Sequence, residues 1–325
     1  MGVDDNHGME SDMSMGGRVR LSHLGVIRAR GADATSFLQG QLTSDVATLG
    51  LGEAKLAGFC SAKGRLQASF IAWKTADDEV LLVCSASLLA PTLKRLSMFV
   101  LRAHCRLTDA SGEVPLTGIV GPAGGDDAMR VWERRALDSA SIVRLPDAEG
   151  CGRWMIAGNV DDEALAASGV APTSTSASPL ASSISLEQWR WLEVRSGVPT
   201  IEAATVDHFV PQMLNFEILG GVDFQKGCYP GQEVVARSQY RGTIKRRMFL
   251  FESDAQITTG QEVFHDDDPG QPAGLVVNAA PAPAGGWSAL VETKLAALER
   301  GTLHLGSAEG PVLRLLPLPY AVPAA

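Results

Sequence analysis

The chain has 325 residues, of which 45% are hydrophobic and 20% are charged, and its 28 Lys and Arg against 37 Asp and Glu give a net charge of −9. This composition excludes a mostly disordered chain, the length suggests about two domains, and the acidic balance argues against direct nucleic-acid binding. No apolar run approaches the roughly 18 residues of a membrane span, and the polar first 16 residues lack the features of a secretory signal. We therefore expect a cytoplasmic protein without a membrane partner.

The first half of the chain predicts strands alternating with short helices. Residues up to about 17 predict a disordered tail, and the alternating apolar residues of 19–29 predict one strand. The other elements expected here are helices over 33–38 and 86–96, and strands over 55–60, 65–73, 79–84, 116–120, 142–145 and 154–157. The uncharged, Ser-, Thr-, Ala- and Pro-rich residues 166–185 predict a mobile surface loop.

The second half of the chain predicts a helix followed by a β-rich C-terminal segment. A helix is predicted over about 186–196, because Gly197 and Pro199 form a typical helix stop. From about 246 to 321, short apolar runs separated by Gly, Pro and Asp predict a small β-barrel or sandwich. The five cysteines are widely spaced and form no Cys-x-x-Cys pair, which favours free thiols. The histidines show no metal-binding spacing, so we predict no metal site.

The most unusual segment is 224–247, FQKGCYPGQEVVARSQYRGTIKRR. Pro230 suits the first turn of a helix, which would place Cys228 just before the helix N-terminus and two residues from Lys226. A helix dipole and an ammonium both favour the thiolate, so this setting predicts a reactive cysteine. The alternative is that Cys228 is a small buried hydrophobic residue. For Cys60, which lies beside a Lys-Gly turn, the two interpretations are evenly balanced.

The same segment is locally basic. Between residues 226 and 247 it carries one anion, Glu233, and six cations: Lys226, Arg237, Arg241, Lys245, Arg246 and Arg247. This clustering predicts a site for carboxylates or phosphates. The alternative is a strand at a domain edge whose cations reach solvent, with Arg237 paired to Glu233 one helical repeat away. Similarly, Trp189 could stack on a flat ligand, or it could simply belong to the core.

KGCYPGQEVVAR at 226–237 resembles the signature of the YgfZ family of folate-binding proteins, which belongs to the superfamily of the glycine-cleavage T-protein, an aminomethyltransferase. The likeness extends over about residues 19–320. The other segments that carry it are 37–46, 60–65, 189–199, 211–215 and 303–320.

The resemblance implies an α+β, T-protein-like fold of two interleaved α+β subdomains around a central channel, followed by a C-terminal β-barrel. It implies a folate-binding domain over 18–245 and the barrel over 246–321. It also implies tetrahydrofolate as the ligand and a role in the maturation or repair of iron–sulfur proteins. The expected partners are therefore iron–sulfur enzymes, including those of tRNA modification, or their assembly machinery.

The resemblance also assigns residues. Cys228 corresponds to the family's indispensable thiol, with Lys226 beside it, and Trp189 corresponds to a folate-contacting tryptophan. The remaining motif residues are Tyr229, Gln232, Glu233 and Arg237. The thiolate could accept a one-carbon unit, hold sulfur or iron, or reduce a damaged cluster. One motif cysteine is too few for a stable four-cysteine cluster.

Two departures from the aminomethyltransferase pattern bear on activity. Gln67 and Ala68 stand where those enzymes carry an Asp pair, and neither side chain can act as a carboxylate base. Glu193 and Arg195 stand exchanged around the position of a pterin-binding Glu, so Glu193 is the candidate acceptor for the pterin. The sequence leaves open whether the protein is an enzyme. Its alternatives are a folate-dependent aminomethyl transferase and an adaptor that docks an acidic protein or tRNA on residues 245–247.

Overall fold

The computed structural model describes residues 15–123, 129–168, 182–240 and 244–323. Residues 1–14 of the predicted tail and residues 169–181 of the predicted loop lie outside these ranges, as does Arg241 of the basic segment. Gly17, the last residue of the predicted tail, begins a strand. The fold contains two open antiparallel sheets, a closed barrel and five helices within the described residues. No helix in these ranges is long and apolar enough to span a membrane.

The first sheet has the strand order β3-β4-β5-β2-β6. Its strands are β2 (Leu24–Arg30), β3 (Ala54–Cys60), β4 (Leu66–Ala76), β5 (Glu79–Ser85) and β6 (Arg106–Asp109). The apolar faces of two helices, α1 (Ala34–Gln39) and α2 (Ala86–Ser97), pack on this sheet. Burial of this face removes apolar surface from water, which is the main stabilising contribution.

The second sheet has the order β1-β7-β10-β9-β8. Its strands are β1 (Gly17–Arg20), β7 (Leu116–Pro122), β8 (Arg134–Leu137), β9 (Ala140–Ala148) and β10 (Cys151–Ala157). The short helix α3 (Asp162–Ala167) follows it. Because β1 precedes the whole first sheet in the chain and β7 to β10 follow it, the two sheets are interleaved in sequence, as the resemblance implies.

The prediction of one strand over 19–29 is wrong, because the chain changes sheets at this point. Leu21 donates its backbone N–H to Leu116 at 3.0 Å, and Leu24 donates to Leu21 at 3.2 Å. This turn separates β1 from β2. Apolar residues recur on both sides of the turn, at Val19 and Leu21 before it and at Ile27 and Ala29 after it, so the pattern alone does not reveal the break.

Helix α4 (Leu186–Arg195) lies between the sheets and the barrel. Ser185 and Gln188 form a reciprocal capping box at its N-terminus, which satisfies two backbone N–H groups that have no partner within the helix. Trp189 and Leu192 on α4 are fully buried in a core that both sheets share.

The barrel closes in the order β11-β14-β13-β12-β15-β16. Its strands are β11 (Arg246–Ser253), β12 (Glu262–His265), β13 (Gly274–Pro281), β14 (Trp287–Lys294), β15 (Leu303–Leu305) and β16 (Val312–Leu316). This confirms the expected C-terminal β-barrel, and closure leaves no open sheet edge. A further core joins the barrel to residues 201–222, through Phe216, Met248 and Leu290 among others.

Candidate functional site

Two loops are joined side by side where the first sheet meets the segment before Cys228. The Thr43 hydroxyl donates to the Gly221 carbonyl at 2.5 Å and accepts from the Gly58 N–H at 2.7 Å. The Asp223 N–H donates to the Thr43 carbonyl at 2.9 Å, and the Ser44 hydroxyl donates to the Gly220 carbonyl at 3.2 Å. Because Thr43 is fully buried, these bonds fix the two loops firmly to one another.

Lys226 anchors the motif loop to the C-terminal end of α1. Its Nζ donates to the carbonyls of Gln39 at 2.6 Å and Leu42 at 2.5 Å. A cation suits this position, since the last carbonyls of a helix carry partial negative charge. Burial lowers the pKa of Lys226 to about 8, although Asp45 and Asp223 act in the opposite direction. The structure therefore gives Lys226 a defined positioning contact.

Cys228 is the only exposed cysteine of the five. Burial raises the pKa of Cys60 and of Cys84 to about 12, so neither forms a thiolate near neutral pH. Of the two interpretations that the sequence allowed for Cys60, the structure supports the buried one. It also removes the alternative of a buried Cys228, because this thiol meets solvent on a loop held by Lys226.

The helix after the motif, α5 (Gln232–Tyr240), begins two residues later than Pro230 predicts. Gly231 has φ +79°, a left-handed conformation that interrupts a helix. A Cβ at this position would collide with the Ser61 carbonyl and lie 2.7 Å from Gly64 Cα. The predicted dipole effect on Cys228 is therefore weaker than expected, because three residues lie between Cys228 and the helix start at Gln232.

The other motif residues divide into buried and exposed. Tyr229 is buried, burial raises its pKa, and its ring lies 5.2 Å from Lys226 Nζ. Gln232 is half-buried in the first turn of α5. Glu233 accepts from Arg237 at 2.9 Å on the exposed face of that helix. This last contact is the simple i,i+4 pair that the sequence offered as an alternative.

The structure counts against the predicted anion site over the basic segment, because ion pairs occupy three of its five described cations: Arg237, Arg246 and Arg247. Arg247 is buried and pairs with Glu217, and it also donates to the Gln212 carbonyl. Arg246 binds the buried Glu292 through both Nε and Nη2. The partners lie 30 and 46 residues away in sequence, so local charge counting overlooked them. Of the three cations at 245–247 that would dock an acidic protein or tRNA, Arg246 and Arg247 are thus engaged in ion pairs.

Trp189, Glu193 and Arg195 lie apart from the motif loop, on α4. Trp189 is fully buried, its Nε1 donates to Glu193 at 2.8 Å, and Arg153 Cζ lies 5.4 Å from its ring centroid. Contact between this indole and a ligand would require the Arg153 guanidinium to move. Arg195 donates to Glu149 at 2.5 Å.

Glu193 belongs to a half-buried network that the sequence did not reveal. Its carboxylate contacts His23 Nε2 at 2.9 Å. Burial alone would raise the pKa of Glu193, but His23, Arg153 and the Trp189 N–H together lower it. No signal in the sequence could identify His23 and Arg153, because they come from distant strands and turns.

A cleft of about 540 Å³ lies beside the joined loops. Its walls come from residues 44–45, 52–56, 130–133 and 219–223. The lining includes the Trp132 side chain, four carboxylates (Asp45, Glu53, Glu133 and Asp223) and two cations (Lys55 and Arg130). The last wall leads directly into Lys226 and Cys228. None of Trp189, Glu193 and Arg195 lines this cleft.

Comparison with known proteins connects this arrangement to a family. The family model described as GCVT N-terminal domain matches residues 14–142. The chain is 34% identical over 256 residues to "tRNA-modifying protein YgfZ" of Edwardsiella ictaluri, covering 73% of this chain and 71% of that protein. It is 31% identical to the protein of the same name from Colwellia psychrerythraea, covering 77% and 74%.

A solved structure supports the same fold. The glycine cleavage system aminomethyltransferase T from Bartonella henselae superposes with a TM-score of 0.69 at 16% identity, covering 93% of this chain and 85% of that one. At this identity the likeness concerns the fold alone. From its sequence relatives, its motif and its fold, the chain belongs to the YgfZ family.

Proposed function

We propose that this protein binds tetrahydrofolate and serves as an accessory factor in the maturation or repair of iron–sulfur proteins, with Cys228 as its reactive thiol. The observation that carries this proposal is the exposed Cys228 on a loop that Lys226 anchors beside the cleft. A reactive thiol must be accessible, and its loop must be held in place for the thiol to meet a ligand. The expected location, the cytoplasm, belongs to this proposal.

The donor set of the cleft fits a folate. Its volume lies within the range of small-molecule sites. Carboxylates such as Glu53 can accept from the amino and ring N–H groups of a pterin, and the Trp132 indole offers an aromatic surface. Lys55 can pair with a carboxylate of the glutamate part. Arg130 already contacts Glu133 at 3.6 Å, so it would have to exchange this partner for the ligand. Tetrahydrofolate would supply one-carbon or reducing chemistry when bound, and these residues would bind and orient it.

The clients of this factor would include iron–sulfur enzymes that act on tRNA. The relatives are named tRNA-modifying proteins. We propose that client enzymes, and not this protein, bind and modify the tRNA. In the basic segment, Arg246 and Arg247 already form ion pairs with Glu292 and Glu217. Aminomethyl transfer is not proposed, since Gln67 and Ala68 offer no carboxylate.

Complementation tests the proposed role of the thiol. In a host that lacks its own copy, Cys228→Ala should fail to restore the tRNA nucleosides made by iron–sulfur enzymes, measured by mass spectrometry. Cys151→Ala, which changes a buried cysteine on β10, outside the cleft lining, should restore them. Both variants must accumulate equally. Full restoration by Cys228→Ala would contradict the proposal.

A further inference from the structure

An apolar turn flanked by cations leads into β6, the edge strand of the first sheet, and none of its residues lines the cleft. We call residues 94–106 the basic apolar tip. They connect the C-terminal end of α2 to β6, and their sequence is KRLSMFVLRAHCR. Nothing in the proposed function uses this segment.

Three large apolar side chains of the tip face solvent. Leu101 is 86% exposed, Met98 60% and Phe99 39%. The exposure does not come from a loose chain, because Leu96 is fully buried and Val100 packs against the core of the first sheet. The backbone N–H groups of Met98, Phe99, Val100 and Leu101 all donate within the turn, at 3.0–3.3 Å. A formed turn that presents adjacent apolar side chains to water is typical of an interaction surface.

The tip is also strongly basic in an acidic chain. It carries Lys94, Arg95, Arg102 and Arg106, all exposed, and no acidic residue. Within the part of the chain that the structure describes, none of these four forms an ion pair, whereas Arg246 and Arg247 do. The carboxylate that meets the tip is Asp33, which accepts from the His104 N–H at 2.7 Å. The four side-chain charges are therefore available to a partner.

We propose that the basic apolar tip docks an acidic client protein, whose surface offers an apolar pocket bordered by Asp and Glu. This inference rests on the proposed function, since it names the surface through which the factor meets its clients. Leu101 and Met98 would fill the pocket, and the cations would form the charged rim that speeds encounter and excludes basic partners.

Charge and shape decide between this occupant and others. A second copy of the tip would bring four cations against four cations, which is repulsive. RNA would use the cations but gains little from exposed Leu and Met side chains, because it is recognised through phosphates, base edges and aromatic stacking. A protein pocket uses both features of the tip.

Site-specific photo-crosslinking in cells tests the proposal. A photo-reactive amino acid replaces Leu101 in one variant and Leu315, an exposed residue of the barrel strand β16, in the control. We expect a discrete adduct at 101 but not at 315, to an iron–sulfur protein through a peptide rich in Asp and Glu. The double variant R102E/R106E should reduce its yield by about tenfold or more. Adducts to RNA, equal adducts at both positions, or no adduct would overturn the proposal.

Two controls separate this proposal from the proposed function. R102E/R106E should melt at the temperature of the unmodified chain, because neither arginine forms an ion pair within the described residues. It should also bind tetrahydrofolate with unchanged affinity, because neither residue lines the cleft. Unchanged folate binding with full complementation would overturn the docking role and leave folate binding intact. If the unmodified chain does not bind tetrahydrofolate, that result would instead contradict the proposed function.

Discussion

Lys226 combines a structural contact with a titratable charge. Burial lowers its pKa to about 8, from 10.5 for an ordinary lysine. Between these two values the unfolded chain binds more protons than the folded one, so this residue makes folding more favourable as the pH rises. Below about pH 8 both states are protonated and its contribution is constant.

This linkage predicts that the free energy of unfolding depends differently on pH in the unmodified chain and in Lys226→Met. Urea unfolding at pH 8, 9 and 10 should show the free energy of unfolding of the unmodified chain rising relative to that of the variant. The variant lacks the titrating group and provides the baseline. A difference that stays flat or falls over this range would show that Lys226 is not desolvated as the structure indicates.

Gly231 permits the close approach of the motif loop to the turn over 61–64. Gly231→Ala adds a Cβ at φ +79° against backbone atoms that cannot move aside. We expect a loss of roughly 1–3 kcal/mol in the free energy of unfolding, measured by urea titration. Gly227→Ala is the matched control, since a Cβ there meets no atom within 4 Å. Equal effects of the two substitutions would contradict this interpretation.

At the scale of elements, the half-buried carboxylate of Glu193 ties α4 to its neighbours. His23, Arg153 and the Trp189 N–H outweigh burial and lower the pKa of Glu193. A carboxylate with a lowered pKa stabilises the fold above its unfolded pKa of about 4.3, and this contribution is lost as the pH falls through the folded value.

In Glu193→Gln, the free energy of unfolding should therefore depend less on pH in the acid range than it does in the unmodified chain. Between pH 6 and 3, the unmodified chain should lose more free energy of unfolding than the variant does, as measured by urea titration. The variant should be less stable at pH 6, where the charged network is intact. Parallel acid losses in the two proteins would show that the network does not hold a charged Glu193.

Local signals predicted many elements but not their partners. Helix α4 was predictable from its cap and its Gly-Pro stop, both of which lie within a few residues of it. The break between β1 and β2 was not, because apolar residues recur on both sides of it. The basic segment misled for a related reason: the acids that neutralise Arg246 and Arg247 come from distant positions in the chain.

At the scale of the whole molecule, the family motif supplied what local patterns could not. The segment KGCYPGQEVVAR led to the interleaved sheets, which the structure shows. It also favoured a barrel at the C-terminus, where the local pattern allowed a barrel or a sandwich, and the structure shows a barrel. It also led to Cys228 and Lys226, which the structure places on one anchored loop. It could not locate the cleft, whose four walls come from segments as far apart as 44–45 and 219–223.

The central claim is that the cleft beside Cys228 binds tetrahydrofolate. Anaerobic calorimetric titration tests it, with Trp132→Ala as the cleft variant and Trp287→Ala, which changes a barrel tryptophan, as the control. We predict saturable binding with one folate per chain, about tenfold or more weaker in Trp132→Ala and unchanged in Trp287→Ala. Absence of saturable binding by the folded, unmodified protein would contradict it.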